Sequence, residues 1–283
     1  MAQRAFTVNR YGAKLLFGLV IYCAWVIPCA AQMLETETAR LLQRGAGKAG
    51  GAFEVQTASE GREGALPLLF EYGLTDALEL TVEPVPYATI RPAESSGATG
   101  PGDAEITLTY GFLPEQGHRP AMAFAAEFKV PTAHDDLIGT GQADYTAYYI
   151  VSKKFGQRTD MHFNAAYAFL GSPPGVSLNN VFSGAVAAVY HFGDRTQLFG
   201  EVLGSTAASS EGEGGDTVPG GITTIVPEAA GSELVGTAGL GWNVSPRTLI
   251  YSGLSYDNTS AVQLRAGFTV RWGNPAVPAQ PAR

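Results

Sequence analysis

The stretch VQLRAGFTVRW, residues 262–272, alternates without a fault. Val262, Leu264, Ala266, Phe268, Val270 and Trp272 are apolar, and Gln263, Arg265, Gly267, Thr269 and Arg271 between them are polar or small. A period of two marks a strand with two unlike faces. Eleven residues is long against the roughly 5–6 of an ordinary globular strand. Alternation alone leaves open which face meets water.

The same pattern recurs from Ala52 onward and predicts twelve strands, at about 52–59, 65–72, 78–90, 103–112, 121–131, 143–155, 159–170, 180–192, 196–206, 233–244, 248–256 and 261–272. The connections after the second, fourth, sixth, eighth and tenth strands are short: GLTDA, LPEQGHRP, GQR, GDR and SPR. Those after odd strands tend to be longer, up to the 207–232 stretch, with short exceptions at GREG and DNTS. Short turns at one end and long loops at the other are the pattern of an outer-membrane barrel. An even strand number puts both termini on the short-turn side, the periplasm.

In such a barrel the apolar face looks at lipid and the polar face lines the lumen. Each even strand carries an outward aromatic near its short turn or its end: Tyr72, Tyr110, Phe155, Tyr190 with Phe192, Trp242 and Trp272. Aromatic rings favour the membrane interface, so these form an expected girdle. A soluble β-sandwich or lipocalin-like barrel would turn its apolar face inward instead. Strand length near the 9–11 needed to span, the aligned aromatics and the turn asymmetry favour the membrane. The expected fold is therefore all-β: a closed antiparallel up-and-down transmembrane barrel of about twelve strands. Closure is required because lipid cannot satisfy a free strand edge.

Composition agrees. Residues are 45% hydrophobic and only 16% charged, with 35 glycines, which suits long half-greasy strands better than a helical enzyme. Residues 1–31 carry Arg4, Arg10 and Lys14, then an apolar run from Leu15 to Ile27, then small residues up to Ala31. That order is a cleavable signal peptide, and the run is too short for a spanning helix. Both cysteines, Cys23 and Cys29, lie in it, so the mature chain has no disulfide framework and no cysteine metal site. Removing the signal deepens the formal charge from −8 to −11, which argues against nucleic acid as a partner. Residues 32–51 contain the one helix candidate, LETETARLLQRGAGKAGG, and read as a periplasmic lead-in or, equally, as a plain disordered terminus. Residues 52–272 form the barrel and the Pro-rich 273–283 a disordered tail.

Charged side chains cannot face lipid cheaply, so the charged strand residues are assigned inward. Glu105, Glu127, Lys129, Asp144, His162, Glu201, Arg265 and Arg271 are the lumen-lining candidates. They are either the ordinary solvated filling of a barrel or a selectivity lining, and an acidic excess would favour cations or neutral solutes. The 207–232 loop, with the apolar GGITTIVP, is a candidate plug, although an ordinary surface loop is the simpler reading. No catalytic constellation emerges. Ser183 shares a face with His191 but lies eight residues away, and no G-x-S-x-G, H-E-x-x-H or phosphate loop is present. No enzyme, cofactor or metal is expected.

Beyond the pattern, the stretches LPLLFEYGLTDALELTVE (66–83), GPGDAEITLTYGFL (100–113), PAMAFAAEFKVPTA (120–133), GTGQADYTAYYIVSKKFG (139–156) and MHFNAAYAFLG (161–171) carry a family resemblance. The chain resembles the outer-membrane transporters associated with the meta-cleavage pathway of phenol degradation. That resemblance implies a channel or porter in a Gram-negative outer membrane for small, hydrophobic or aromatic compounds. Membrane lipid and the barrel assembly machinery are the implied partners. The tail after Trp272 departs from the terminal aromatic that such machinery reads. The alternative is a structural or adhesion barrel without transport.

Overall fold

The computed structural model describes residues 35–208 and 232–273. They form fifteen strands in one antiparallel sheet. The strands are β1 (Gly47–Ala58), β2 (Gly61–Ala65), β3 (Leu68–Thr75), β4 (Leu78–Glu83), β5 (Ala88–Pro92), β6 (Ala98–Gly100), β7 (Ala104–Leu113), β8 (Ala121–Val130), β9 (Asp144–Phe155) and β10 (Thr159–Phe169), followed by β11 (Val181–Phe192), β12 (Thr196–Ser205), β13 (Glu233–Ser245), β14 (Thr248–Asp257) and β15 (Val262–Trp272). Three staves are each made of two strands, β2 with β3, β4 with β5 and β6 with β7, so the wall has twelve staves. It closes on itself: β15 pairs with β1 from Gly47 opposite Trp272 to Thr57 opposite Val262. No edge is left for lipid to strand.

The opening question is settled by exposure. Phe268 is 50% exposed on the outer surface while its neighbour Thr269 is 1% exposed. Val262, Leu264, Val270 and Trp272 share the outer face with Phe268. The same holds around the barrel, where Phe53, Phe124, Tyr145, Phe163, Phe182, Val202, Leu240, Ile250 and Leu254 are all exposed. A water-soluble protein does not present a continuous belt of this size. Polar groups are instead turned in: Glu54, Thr107, Thr146, Asn164, Ser183 and Gln197 are buried. No described helix is long and apolar enough to cross a membrane, a test that leaves strands untouched.

Three details differ from the sequence reading. First, the expected boundary at 51/52 falls inside β1, which starts at Gly47. Second, the helix candidate is no helix: residues 35–46 are irregular and extended. The segment is short and polar, and side chains of the lumen wall take the amide hydrogens of Thr36, Glu37, Ala39 and Leu42. Third, staves two to four are broken near the long-loop end at Pro67, at Pro84 with Pro86, and at Pro101. Proline has no N–H to give to a ladder. The wall stays bonded through flanking groups: Ala52 N–H to Pro67 O, Leu66 N–H to Tyr87 O, Leu68 N–H to Pro84 O and Gly102 N–H to Val85 O, at 2.8–3.0 Å. β6 also lies within what reads as a long loop, because its partner β5 continues beyond the proline break. The 207–232 plug candidate falls almost wholly outside the described residues, as does the 273–283 tail beyond Gly273.

Candidate functional site: the barrel lumen

The inward positions follow from strand parity. Every lumen-lining candidate lies on the inward register, and each has a distinct neighbour. Lys129 reaches Asp144 at 2.5 Å and lies 3.8 Å from Asp103, and Asp144 also accepts the Gly171 N–H at 2.7 Å. Glu105 sits across from Lys129 in register. Glu127 accepts the Tyr148 hydroxyl at 3.0 Å and, more weakly, that of Thr107 at 3.4 Å. Arg265 pairs with Glu54 at 2.5 Å and with Glu35. Arg271 faces Lys48 in register, and Lys48 is paired with Glu71. His162 Nδ1 lies 2.9 Å from Ser152 Oγ, and Glu201 receives Thr36.

On the outside, Tyr72, Tyr110, Phe155, Trp242 and Trp272 are exposed close to the short turns, and Tyr190 is half-buried. The Tyr190 ring meets Phe192 edge-on, 4.7 Å between centroids. Trp272 and Tyr72 both lie opposite Gly47, so two rings flank a residue with no side chain.

The lumen is not lined by strands alone. Residues 35–45, the expected lead-in, run inside it from mid-height down to the short-turn rim. The Thr36 N–H donates to Glu201 Oε2 at 2.6 Å, and its hydroxyl donates to the same oxygen. The Glu37 N–H donates to Asn164 Oδ1 at 2.6 Å, and Asn164 Nδ2 donates back to Glu37 O at 3.0 Å. The Ala39 N–H donates to Ser152 Oγ at 2.9 Å, and the Leu42 N–H donates to Glu79 Oε2 at 2.6 Å. Arg40 bridges Glu115 at 2.8 Å and Asp160 at 2.9 Å, and Asp160 in turn meets His191 Nε2 at 2.8 Å.

At the rim a turn reverses the chain into β1. The Ala46 N–H donates to Gln43 O at 2.9 Å, and Gly45 between them has φ +80°, which favours glycine. The segment passes so close to the wall that a Cβ on Gly73 would lie 2.2 Å from Gln43 O.

A second inward piece comes from the long-loop end. In residues 131–143, Ile138 packs on Ala65, Val85, Ala88, Ile90 and Ala98, with Ala133 and Leu137 beside it. Asp103 accepts the Ala133 N–H at 2.9 Å, and the Thr132 hydroxyl donates to Gly102 O at 2.9 Å.

Between these pieces the inner wall is divided. Staves two to four carry Glu71, Glu79, Thr81, Glu105, Thr107 and Thr109. Staves five to nine carry, among the polar side chains named above, an apolar patch of Ala123, Ala125, Tyr148, Ile150, Ala166, Ala185 and Leu203, on which Ala39 packs. Reasoning from charge alone passes over Ser152 and Asn164, although parity places both inward. The Ser152–His162 contact is a Ser–His pair that such reasoning overlooks. Ser152 is fully buried and its oxygen already accepts Ala39 N–H, so the pair anchors the segment rather than presenting a nucleophile. Among the described residues no group of three or more His, Cys, Asp and Glu is placed to hold a metal ion.

A closed wall with a greasy outside and a polar bore defines the class of outer-membrane channel-like barrels. The chain belongs to the family described as "Putative MetA-pathway of phenol degradation", whose model matches residues 51–272. Solved structures share the fold at low identity. The COG4313 outer membrane channel from Pseudomonas putida F1 aligns over 86% of this chain and 100% of its own, at TM-score 0.63 and 10% identity. The NanC porin aligns over 78% and 98%, at 0.54 and 11%. The KdgM porin in complex with disordered oligogalacturonate aligns over 80% and 99%, at 0.53 and 9%. No curated protein matches the chain.

Proposed function

We propose that the protein is an outer-membrane channel or porter for passive movement of small, neutral, hydrophobic or aromatic compounds in a Gram-negative bacterium. The observation that carries this reading is the divided inner wall. The apolar patch from Ala123 to Leu203, on which Ala39 packs, gives a ring a surface to slide along once that segment moves aside, while the facing carboxylates hold water and repel anions. The family's association with phenol degradation agrees with an aromatic cargo. In the same reading residues 1–31 direct export, and the aromatics from Tyr72 round to Trp272 seat the barrel at the periplasmic interface, with membrane lipid around it. The barrel assembly machinery would insert it despite the tail after Trp272. Glu105, Glu127, Lys129, Asp144, His162, Glu201, Arg265 and Arg271 are the residues set to tune selectivity.

The test is conductance of the refolded, heat-modifiable barrel in a planar bilayer. Discrete steps with a reversal potential on the cation side, and steps shortened by added phenol, are expected. Anion preference would remove the selectivity argument. A membrane silent even after residues 35–43 are deleted would return the barrel to a structural or adhesion role.

A further inference from the structure

We propose that residues Glu35–Gly45 are a removable plug, an autoinhibitory strap that closes the bore from the short-turn end and is released as a unit. This rests on the channel reading above and adds how that channel is held shut.

The wall does not need the strap. β1, the strand that follows it, is already paired on both edges, to β15 on one side and to β2 and β3 on the other. The amide hydrogens of Thr36, Glu37, Ala39 and Leu42 go to side chains of four different staves, Glu201, Asn164, Ser152 and Glu79. No strand ladder holds the segment: its one backbone bond to the wall among those described is the Gly45 N–H to Gly73 O at 2.8 Å, at the hinge itself, so residues 35–44 can depart without breaking a bond between staves. Each acceptor is a group that water satisfies equally well once the strap has left.

The wall is also shaped for an occupant. Small residues line the track: Gly73 beneath Gln43, Gly111 against Leu41, and Ala121, Ala123 and Ala125 in the cluster that receives Ala39. Narrow barrels are ordinarily filled by their own inward side chains. Here that filling is supplied along one side by a separate segment, so removing it leaves a bore instead of a packed core. The Gln43–Ala46 turn at the rim is a ready hinge, and a Cβ on Gly45 would meet nothing within 4 Å.

The strap can be locked without shortening the chain. The hydroxyls of Thr38 and Ser152 lie 3.4 Å apart, so the double variant T38C/S152C places two thiols to cross-link it to the wall. Single-channel conductance of that variant, oxidised and then reduced, is compared with that of a Δ35–43 chain, each first checked for heat-modifiable migration. The locked form is expected to be closed or nearly so, reduction to restore steps, and the deletion to conduct at least several-fold more than the locked form. Equal steps from locked, reduced and deleted barrels would overturn the plug while leaving the channel standing. Silence from all three folded barrels would overturn both.

Discussion

Among the described residues two segments leave the barrel wall and turn inward, and they are held mainly by different means. The 131–143 loop is seated through Ile138 on a cluster of small apolar side chains, with Asp103 and Thr132 fixing its start. The 35–45 strap is seated through its backbone amides on single polar side chains, with Glu35 at its start and Arg40 at its middle in ion pairs. Water cannot replace an apolar contact, so the loop belongs to the wall. It can replace a hydrogen bond at little net cost, and the net value of such a bond is about 0.5–1.5 kcal/mol. The difference separates a permanent constriction from a movable one, although both narrow the same bore.

The comparison breaks most visibly at Ile138, which is 2% exposed. Ile138→Ala should cost about 2–5 kcal/mol of loop docking, as for other buried large-to-small changes. Limited proteolysis should then cut within 131–143 while the barrel keeps its heat-modifiable migration and the strap its protection. If the strap loosens in the same variant, the two segments are not independent.

The next largest effect is expected at Glu201. It takes both the N–H and the hydroxyl of Thr36, and hydrogen bonds to a charged group are worth about 1.5–3 kcal/mol. Glu201→Ala should speed hydrogen exchange at the strap amides by about tenfold to a hundredfold and leave the loop amides unchanged. Equal acceleration at both would mean that a general loosening, not a lost anchor, was being read.

These two anchors were not equally legible in the sequence. Period-two alternation located all twelve staves, because it persists on both sides of each proline break even where the inward parity flips. Thus 78–90 reads as one strand, although Pro84 and Pro86 divide it into β4, with Glu79 and Thr81 inward, and β5, with Ala88 and Ile90 inward. Parity also placed Glu127, Lys129, Asp144 and Arg265 inward, since charge and lipid exclude each other. The strap left no such signal. Its partners are single residues scattered over many staves, and a backbone amide has no sequence signature at all. Ser152 and Asn164 escaped for a related reason: uncharged inward residues look like ordinary filling until something docks on them. The Ile138 contact was equally hidden, as one isoleucine in a polar loop predicts nothing without its receiving surface.

The finest distinction concerns the rim anchor. Glu115 lies in the turn between β7 and β8, outside the spanning segments. Burial pushes its carboxyl up, but hydrogen bonds from Lys153 Nζ, the Lys154 N–H and Arg40 outweigh that and hold it below the ordinary carboxylate value. A lowered folded value means that the anchor's contribution is complete above the unfolded carboxylate pKa of about 4.3 and is lost as pH falls through the lower folded one. Because Arg40 and Glu115 are partly exposed, the contribution is small, about 0.2–1 kcal/mol. Glu115→Gln should therefore raise thiol labelling of an A39C reporter slightly at neutral pH. The gap from the parent should stay flat down to the ordinary carboxylate range and close below it, where both side chains are uncharged. Acid also protonates the other strap acceptors, so labelling of both proteins rises together there. The gap, not the absolute rate, reports Glu115. A gap that widens on acidification would mean that Glu115 resists the docked strap rather than holding it.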